Sequence, residues 1–177
     1  MNKAVFLDRD GVINIEKNYV HTREEFEFID GVFDACKQLQ QDGYLLIVIT
    51  NQAGIARGYY TEEQFTELTE WMLEQFESNG IEILGVYYCP HHPDFSGECD
   101  CRKPKPGMIL QAAKDHNIAL EESIFIGDKL SDMMAADAAK ISCKILVMTG
   151  HPIPENTQGL ADLVIEDLTD IEDFSFI

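Results

Sequence analysis

The chain has few positive charges, and it contains no long apolar run. Its 177 residues include 13 lysines and arginines against 32 aspartates and glutamates, which gives a formal net charge of −19. Proteins that bind nucleic acid backbones need a basic surface, so this balance argues against such a partner. No apolar run approaches the roughly 18 residues of a membrane span, and no secretory signal pattern opens the chain. We therefore expect a cytoplasmic protein with neither nucleic acid nor membrane as a partner.

Cysteine is also scarce, and its number is odd. The chain has five cysteines, and disulfides are rare in the reducing cytoplasm, so we do not expect a disulfide framework. Cys36 and Cys143 lie in apolar surroundings, which is typical of small core residues.

The other three cysteines form a pattern with a neighbouring histidine. Cys89 and His91 are followed by Cys99 and Cys101, so that Cys-x-His precedes Cys-x-Cys. One nitrogen and three sulfur ligands suit tetrahedral zinc, and four protein ligands would close the site, which makes the zinc structural. The alternatives are free thiols or another ligand such as His92. A metal would fold a loop that is too short to have its own core.

Apolar runs alternate with helical patterns along the chain. Strands that alternate with helices predict a parallel sheet covered on both faces. Thr61 and Gln64 form a capping-box pattern at the start of the clearest helix. With no shift in composition, the chain fits one domain over residues 1–177. We predict strands at residues 4–7, 45–50, 84–89, 123–126, 144–148 and 163–165, and helices at 32–41, 62–78, 108–116 and 131–139.

A pair of carboxylates follows the first predicted strand. Asp8 and Asp10 come directly after it, and Gly11 allows the chain to turn sharply. Ligand sites in open α/β sheets lie at the carboxyl ends of the strands. An aspartate can attack a phosphoryl group, and a second carboxylate can move the proton. The same pattern also occurs in ordinary turns, so the other strand ends must decide between the two interpretations.

Polar side chains end two further predicted strands. Thr50 and the backbone N–H groups after it are placed to hold a phosphoryl oxygen, although a polar turn is the alternative. Asp128 could bind Mg²⁺ together with Asp8 and a backbone carbonyl near Asp10, since this ion takes few protein carboxylates. We interpret Asp132 as an acid in the first turn of a helix, with an orienting role at the metal as the alternative.

The few cations are concentrated near these segments. An acidic protein that gathers its cations in one region is suited to an anionic ligand, whereas a chance cluster on a solvated surface is the alternative. Prolines around Lys103 restrict where the basic side chains point. Eight of the 13 cations lie in or near the segments above: Arg9, Lys17, Arg23, Arg57, Arg102, Lys103, Lys105 and Lys129.

The order of these signals resembles the haloacid dehalogenase (HAD) phosphatase superfamily. D-x-D-G, a strand-end threonine, Lys-Pro and G-D-x-x-x-D follow one another from Asp8 to Asp132. The resemblance implies a three-layer α/β/α Rossmann-like fold with a central parallel sheet and no large cap domain. The zinc-binding loop, about residues 89–101, would be a small addition to that fold. Val12 departs from the pattern, because many members have threonine there, and it removes one possible hydroxyl contact.

The resemblance also implies roles for individual residues. Asp8 would be the nucleophile that forms an aspartyl-phosphate, and Asp10 the general acid/base with its backbone carbonyl on the metal. Thr50 and Lys103 would hold the phosphoryl group. Asp128 would complete the magnesium site.

Within the superfamily, a chain of this size with no inserted cap domain and with this cysteine loop resembles the heptose bisphosphate phosphatases. The segments 18–21 and 54–60 are similar to their substrate loops. The resemblance implies that the protein removes the 7-phosphate of a heptose bisphosphate and releases heptose 1-phosphate. The product would supply nucleotide-activated heptose for lipopolysaccharide core or S-layer glycan. The preferred anomer of the substrate stays open. The alternatives are a histidinol-phosphate phosphatase, or a zinc-stabilised binding protein without turnover. A monomer is expected. The implied substrate-binding residues are Glu16, Tyr19, His21, Asn51, Gln52, Arg57, Arg102 and Lys129.

Overall fold

Six short parallel strands form the centre of the molecule. In the computed structural model, which describes residues 1–152 and 159–171, they are ordered β3-β2-β1-β4-β5-β6 across one sheet. The strands are β1 (Ala4–Leu7), β2 (Leu45–Asn51), β3 (Ile83–Cys89), β4 (Ile124–Gly127), β5 (Cys143–Val147) and β6 (Leu163–Ile165).

Within residues 1–152 and 159–171, five α-helices and one short 3₁₀ segment connect the strands. Thr61 caps the third helix: its side chain accepts a hydrogen bond from the Gln64 backbone, and Gln64 returns one to the Thr61 backbone, which confirms the predicted capping box. The four-residue second helix was not predicted, because an apolar repeat of helical period can be recognised only over more than one turn. The helices are α1 (Val32–Gln41), α2 (Ala53–Ala56), α3 (Glu62–Ser78), α4 (Gly107–His116) and α5 (Leu130–Ala138), with the 3₁₀ segment at Leu120–Glu122.

Alternate side chains of the strands enter two separate cores. On β1, Val5 and Leu7 pack on the side of α1 and α3, whereas Ala4 and Phe6 pack on the side of α4 and α5. All four are at most 1% exposed, and each buried Val, Leu or Phe side chain contributes about 2 kcal/mol. A strand that is apolar on both faces needs helices on both faces. The predicted three-layer α/β/α fold is therefore confirmed.

The register of the sheet brings three strand ends together. Strand β1 lies between β2 and β4, and Leu7 is level with Val48 and Ile126. Asp8, Thr50 and Asp128 consequently lie at the same edge. The predicted strands and the four predicted helices agree with the structure to within one residue at each end. Within the described ranges, no helix is both long and apolar enough to cross a membrane.

Candidate active site

A cavity of about 500 Å³ lies at the carboxyl edge of the sheet. Its walls come from the loop after β1, the end of β2 with α2, the loop after β3, and the start of α5. Ten of the predicted site residues line it: Asp8, Asp10, Glu16, Tyr19, Asn51, Gln52, Arg57, Arg102, Lys103 and Lys129.

Three of the predicted catalytic, substrate-binding and magnesium residues do not line the cavity. Thr50 and Asp128 are each 1% exposed and lie beneath the cavity surface. His21 lies outside the lining, because its ring stacks on Tyr60 with centroids 5.1 Å apart, and its Nδ1 lies 2.8 Å from the Tyr19 carbonyl oxygen. His21 therefore contacts Tyr60, which lines the cavity, but does not line the cavity itself.

Lys103 is buried between two carboxylates. Its Nζ donates to Asp8 Oδ1 at 2.9 Å, to Asp132 Oδ1 at 2.6 Å and to the Ile49 carbonyl at 2.9 Å. Burial alone would lower the pKa of Lys103, but Asp132 and Asp8 outweigh it and raise this pKa above the usual range. Lys103 therefore stays protonated beside Asp8 at every physiological pH.

The role of Asp132 is larger than the sequence indicated. Besides its bond to Lys103, its Oδ2 accepts the backbone N–H groups of Asp128 and Lys129, both at 3.1 Å. The interpretation as an ordinary first-turn acid is therefore incomplete. Asp132 joins the end of β4 to the lysine that contacts Asp8, and a sequence pattern alone does not show which cation a helix-start acid meets.

Asp10 is held by three donors. Its Oδ1 accepts from Arg9 Nη2 at 2.8 Å and Asn14 Nδ2 at 3.0 Å, and its Oδ2 accepts from Gln52 Nε2 at 3.1 Å. Burial raises the pKa of Asp10, but the Arg9 charge and the hydrogen bonds from Arg9, Asn14 and Gln52 outweigh it and lower this pKa overall. Asp10 is therefore a carboxylate in the free protein.

Arg9 is one of the eight cations that the sequence places near the site, and the structure places it beneath the cavity surface, in contact with Asp10. The residue is 1% exposed and does not line the cavity. Its Nη2 also donates to the Val20 carbonyl at 2.8 Å. Arg9 thereby connects Asp10 to the loop that carries Tyr19. This connection forms only when the loop is folded, so no sequence motif predicts it.

Three buried carboxylates form a site suited to a cation. Oxygens of Asp8, Asp128 and Asp132 lie within 4.8 Å of one another, and when all three are ionised their charge exceeds that of Lys103, which pairs with Asp8 and Asp132. Asp128 Oδ1 is buried without a hydrogen-bond partner among the described groups. Burial raises the pKa of Asp128 to about 7. The orphaned oxygen and the surplus of negative charge fit a hard divalent cation such as Mg²⁺.

Gly11 is required for this arrangement. Its φ is +89°, and a Cβ there would lie 2.2 Å from Asp128 Oδ2. Any other residue would be strained and would displace the carboxylate. On its other side, Asp128 Oδ2 lies 2.6 Å from Nδ1 of His151, a contact that the sequence did not suggest because 23 residues separate the two.

The cysteine loop brings its four ligand groups together. Sulfur atoms of Cys89, Cys99 and Cys101 and a ring nitrogen of His91 lie within 4.8 Å of one another, a donor set compatible with a metal site. The structure also joins Cys89 and Cys101 by a disulfide, which differs from the expectation of no disulfide. The two arrangements exclude each other, because a thiolate that binds a metal is not bonded to another sulfur. The packing that gathers the four ligands is what brings these two sulfurs into bonding contact.

Asn51 connects this loop to the sheet. Its Oδ1 accepts the Lys103 backbone N–H at 3.0 Å, and its Nδ2 donates to the Lys103 carbonyl at 3.2 Å. Asn51 lines the cavity, and its side-chain amide holds the Lys103 backbone. The position of the lysine thus depends on a residue 52 positions earlier.

The parallel three-layer fold, with carboxylates after β1 and β4 around a buried lysine, defines a hydrolase of the HAD class, and a protein-family model of HAD-hydrolase-like proteins matches residues 100–171. The D-glycero-beta-D-manno-heptose-1,7-bisphosphate 7-phosphatase of Vibrio cholerae is 53% identical over 173 residues, 95% of this chain and 93% of that protein. The Escherichia coli enzyme of the same name is 50% identical, covering 95% and 91%. The chain belongs to the D-glycero-beta-D-manno-heptose-1,7-bisphosphate 7-phosphatase family. It is a phosphoric monoester hydrolase, as predicted.

Solved structures show the same fold. The D,D-heptose 1,7-bisphosphate phosphatase of B. bronchiseptica, complexed with magnesium and phosphate, superposes with a TM-score of 0.83 at 30% identity and covers 96% of both chains. The corresponding phosphatase of Burkholderia thailandensis has a TM-score of 0.69 at 26% identity over 98% of both chains. This chain therefore agrees with both phosphatases in fold and in length.

Proposed function

We propose that this chain is a magnesium-dependent phosphatase that removes the 7-phosphate of D-glycero-β-D-manno-heptose 1,7-bisphosphate. The observation that carries the proposal is the nucleophile position at the end of the central strand: Asp8, held by the buried Lys103 and facing a cavity with further cations. The names of relatives that share half of the sequence over nearly its whole length support the heptose substrate over histidinol phosphate, and the β anomer over the α anomer.

In the first step, Asp8 attacks the phosphorus, and the bond from phosphorus to the sugar oxygen breaks. Burial, Asp132 and Asp128 raise the pKa of Asp8, and Lys103 opposes this rise. The ammonium of Lys103 therefore favours the ionised carboxylate that the attack needs. It is also placed to stabilise negative charge on the transferred group, which is the main catalytic contribution in phosphoryl transfer.

Asp10 protonates the leaving sugar oxygen and later takes a proton from the water that hydrolyses the aspartyl-phosphate. Its lowered pKa keeps Asp10 ionised in the free protein, and the ionised form is the one that can accept a proton in the second step. An anionic phosphoryl group raises the pKa of a nearby carboxyl, which prepares Asp10 for the first step. Asp10 gives its proton to the leaving oxygen in the first step, so it is a carboxylate again when the water attacks the aspartyl-phosphate.

Asp8 and Asp128 would hold the magnesium ion, with the backbone carbonyl of Asp10 as a further proposed ligand. When bound, the ion supplies positive charge that offsets the phosphoryl oxygens. Asp132 has both oxygens engaged, one with Lys103 and the other with two backbone N–H groups, so it orients the site rather than binding the ion directly.

Three further cations of the cavity are suited to the second phosphate. Arg57, Arg102 and Lys129 line it, and none forms an ion pair with another described residue, whereas Lys103 has two. The Arg57 guanidinium lies between the rings of Tyr19 at 5.9 Å and Phe95 at 4.8 Å, and its buried Nε has no partner among the described groups. We assign these cations to the phosphate that stays on the product.

The proposal is tested by phosphate release from both anomers of the heptose bisphosphate and from histidinol phosphate. We expect kcat/KM for the β anomer to exceed that for histidinol phosphate by at least about tenfold, because the extra cations have no second phosphate to bind in histidinol phosphate. Removal of Mg²⁺ by a chelator should reduce release to background. Preference for histidinol phosphate would contradict the substrate, and no release from any ester would favour a binding protein.

Magnesium affinity should weaken as the pH falls. The pKa of Asp128 is raised to about 7, so below that pH a proton must leave before the ion binds. We expect the apparent Kd for Mg²⁺ to rise by up to about tenfold for each pH unit below the pKa of Asp128 and to level off above it. Calorimetric titration between about pH 6 and about pH 8 measures this. An affinity independent of pH over that range would contradict the ligand assignment.

We propose that the cysteine loop binds one structural zinc ion through Cys89, His91, Cys99 and Cys101. Elemental analysis of the reduced protein should find about one zinc per chain. Cys99→Ser should lose most of the zinc, because it removes one of the four ligands, whereas Cys143→Ala should keep it. Wild-type protein with no zinc and two thiols missing from a thiol count would instead support the disulfide between Cys89 and Cys101.

The proposal also covers the setting of the enzyme. Every residue assigned above comes from one chain, so the cavity is complete in a monomer of one domain. The net charge of −19 supports the expectation that nucleic acid is not a partner. A small sugar bisphosphate remains the proposed partner, and the cytoplasm the proposed location.

A further inference from the structure

We propose that Tyr60 is a positioning residue, which acts through Gln52 to orient two groups of the active site, Asp10 and Thr50. The inference rests on the proposed function for the roles of Asp10 and Thr50. Neither the hydroxyl of Tyr60 nor its connection to these groups follows from the motifs in the sequence. The connection consists of three hydrogen bonds that join the buried side chains of Tyr60, Gln52 and Thr50 to the partly buried Asp10.

The Gln52 amide is at the centre of this network. Its Nε2 donates to Asp10 Oδ2 at 3.1 Å and to Thr50 Oγ1 at 2.9 Å, which uses both of its hydrogens. Its Oε1 accepts from the hydroxyl of Tyr60. Gln52 is 2% exposed and Tyr60 is 4% exposed, so water does not compete freely for these groups.

The direction of the amide follows from its partners. A flipped Gln52 would point its oxygen at the Asp10 carboxylate, and two acceptors repel each other. Burial raises the pKa of Tyr60, so its hydroxyl keeps its proton and remains a donor. Tyr60 therefore satisfies the one end of the Gln52 amide that neither Asp10 nor Thr50 can satisfy.

The network sets the direction of the Thr50 hydroxyl and the position of the Asp10 carboxylate. Thr50 accepts from Gln52, so its own hydroxyl proton is left for another acceptor, and its contact to the Asn51 carbonyl is long at 3.4 Å. A phosphoryl oxygen is the acceptor that the proposed reaction provides. Asp10 Oδ2 is held in place by the same amide, while its Oδ1 is held by Arg9 and Asn14.

Tyr60 itself has little freedom to move. A Cβ on Gly54 would lie 2.2 Å from the Tyr60 ring, so the glycine of α2 is what lets the ring approach this closely. The His21 ring stacks on the Tyr60 ring with an interplanar angle of 3°. The hydroxyl is thereby held in one place by packing that a phenylalanine ring would preserve.

The test is a double-mutant cycle of Tyr60→Phe and Gln52→Met. Methionine keeps the length and approximate volume of glutamine but has neither its donor nor its acceptor. We expect Tyr60→Phe to lower kcat by about fivefold, the effect of one lost hydrogen bond, with KM within about twofold. In the Gln52→Met background, Tyr60→Phe should have no further effect on kcat, because its partner is already absent.

Tyr87→Phe is the matched control, since it removes a hydroxyl that donates to Asp115 at 2.7 Å outside the cavity lining. It should leave kcat unchanged. The inference is overturned if Tyr60→Phe leaves kcat unchanged, if its effect is confined to KM, or if the two effects multiply independently. The cycle is run on the heptose bisphosphate and on p-nitrophenyl phosphate. If the wild-type protein hydrolyses p-nitrophenyl phosphate but not the heptose bisphosphate, the proposed substrate is wrong. The effects of the variants on kcat can still be compared with p-nitrophenyl phosphate.

Discussion

Asp8→Asn should reduce phosphate release by about four to six orders of magnitude, the scale seen when a covalent nucleophile is removed. An amide cannot form the aspartyl-phosphate, and the remaining groups only bind and orient the ester. Steady-state phosphate release measures the loss. Acid quenching of the wild-type protein during turnover should trap phosphate on the chain, and the variant should trap none.

The variant should remain folded, which separates loss of chemistry from loss of structure. The raised pKa of Asp8 means that its charge is unfavourable in the metal-free fold, and Lys103 keeps its bond to Asp132 after the substitution. We therefore expect a thermal unfolding midpoint at least as high as that of the metal-free wild type. Turnover near the wild-type rate, or phosphate trapped on the variant, would refute the assignment of Asp8.

Lys103→Met should lower kcat by about two to four orders of magnitude. Among the described residues, Lys103 is the only positive side chain in direct contact with Asp8, and the substitution removes the charge that favours the ionised nucleophile and the transferred group. It also leaves Asp8 and Asp132 without their shared partner in a buried site. Removal of one member of a buried ion pair typically costs about 3 kcal/mol, so the metal-free variant should also unfold more readily.

Kinetics with saturating Mg²⁺ and denaturant unfolding with and without Mg²⁺ measure the two effects separately. Bound Mg²⁺ offsets the surplus of negative charge, so it should recover part of the stability but little of kcat. Lys114→Met, at an exposed lysine in the last turn of α4, controls for the loss of a positive charge and should change neither quantity. Unchanged kcat in Lys103→Met would contradict a role for this lysine at the phosphoryl group.

The fold was predictable because its signals are local. Strands β1, β2 and β4 are built on apolar runs, and the four predicted helices bury apolar side chains against the sheet, so their order alone implied a parallel sheet with two covered faces. The carboxyl ends of parallel strands must meet at one edge. Asp8, Thr50 and Asp128 were therefore expected at the same place before any distance was known.

Contacts between distant segments were not predictable in the same way. Asp132 was interpreted from its place at a helix start, yet its second partner is Lys103, which comes from the loop after another strand. Asn51 was predicted to bind the substrate from its place at the end of β2; it lines the cavity, and its amide holds the backbone of Lys103, a partner that the sequence did not indicate. A polar side chain has several possible partners, and the path of the loops selects among them.

The sequence by itself thus determined the class of fold, the edge that carries the chemistry, and the two carboxylates of the D-x-D-G segment. These follow from periodicity and strand order, which depend on neighbouring residues. Only the tertiary structure decided which buried groups touch: Lys103 between Asp8 and Asp132, Gln52 between Tyr60 and Asp10, and four ligand groups in the cysteine loop. Burial makes each polar group take a partner, and the packing of loops far apart in the chain determines which partner is within reach.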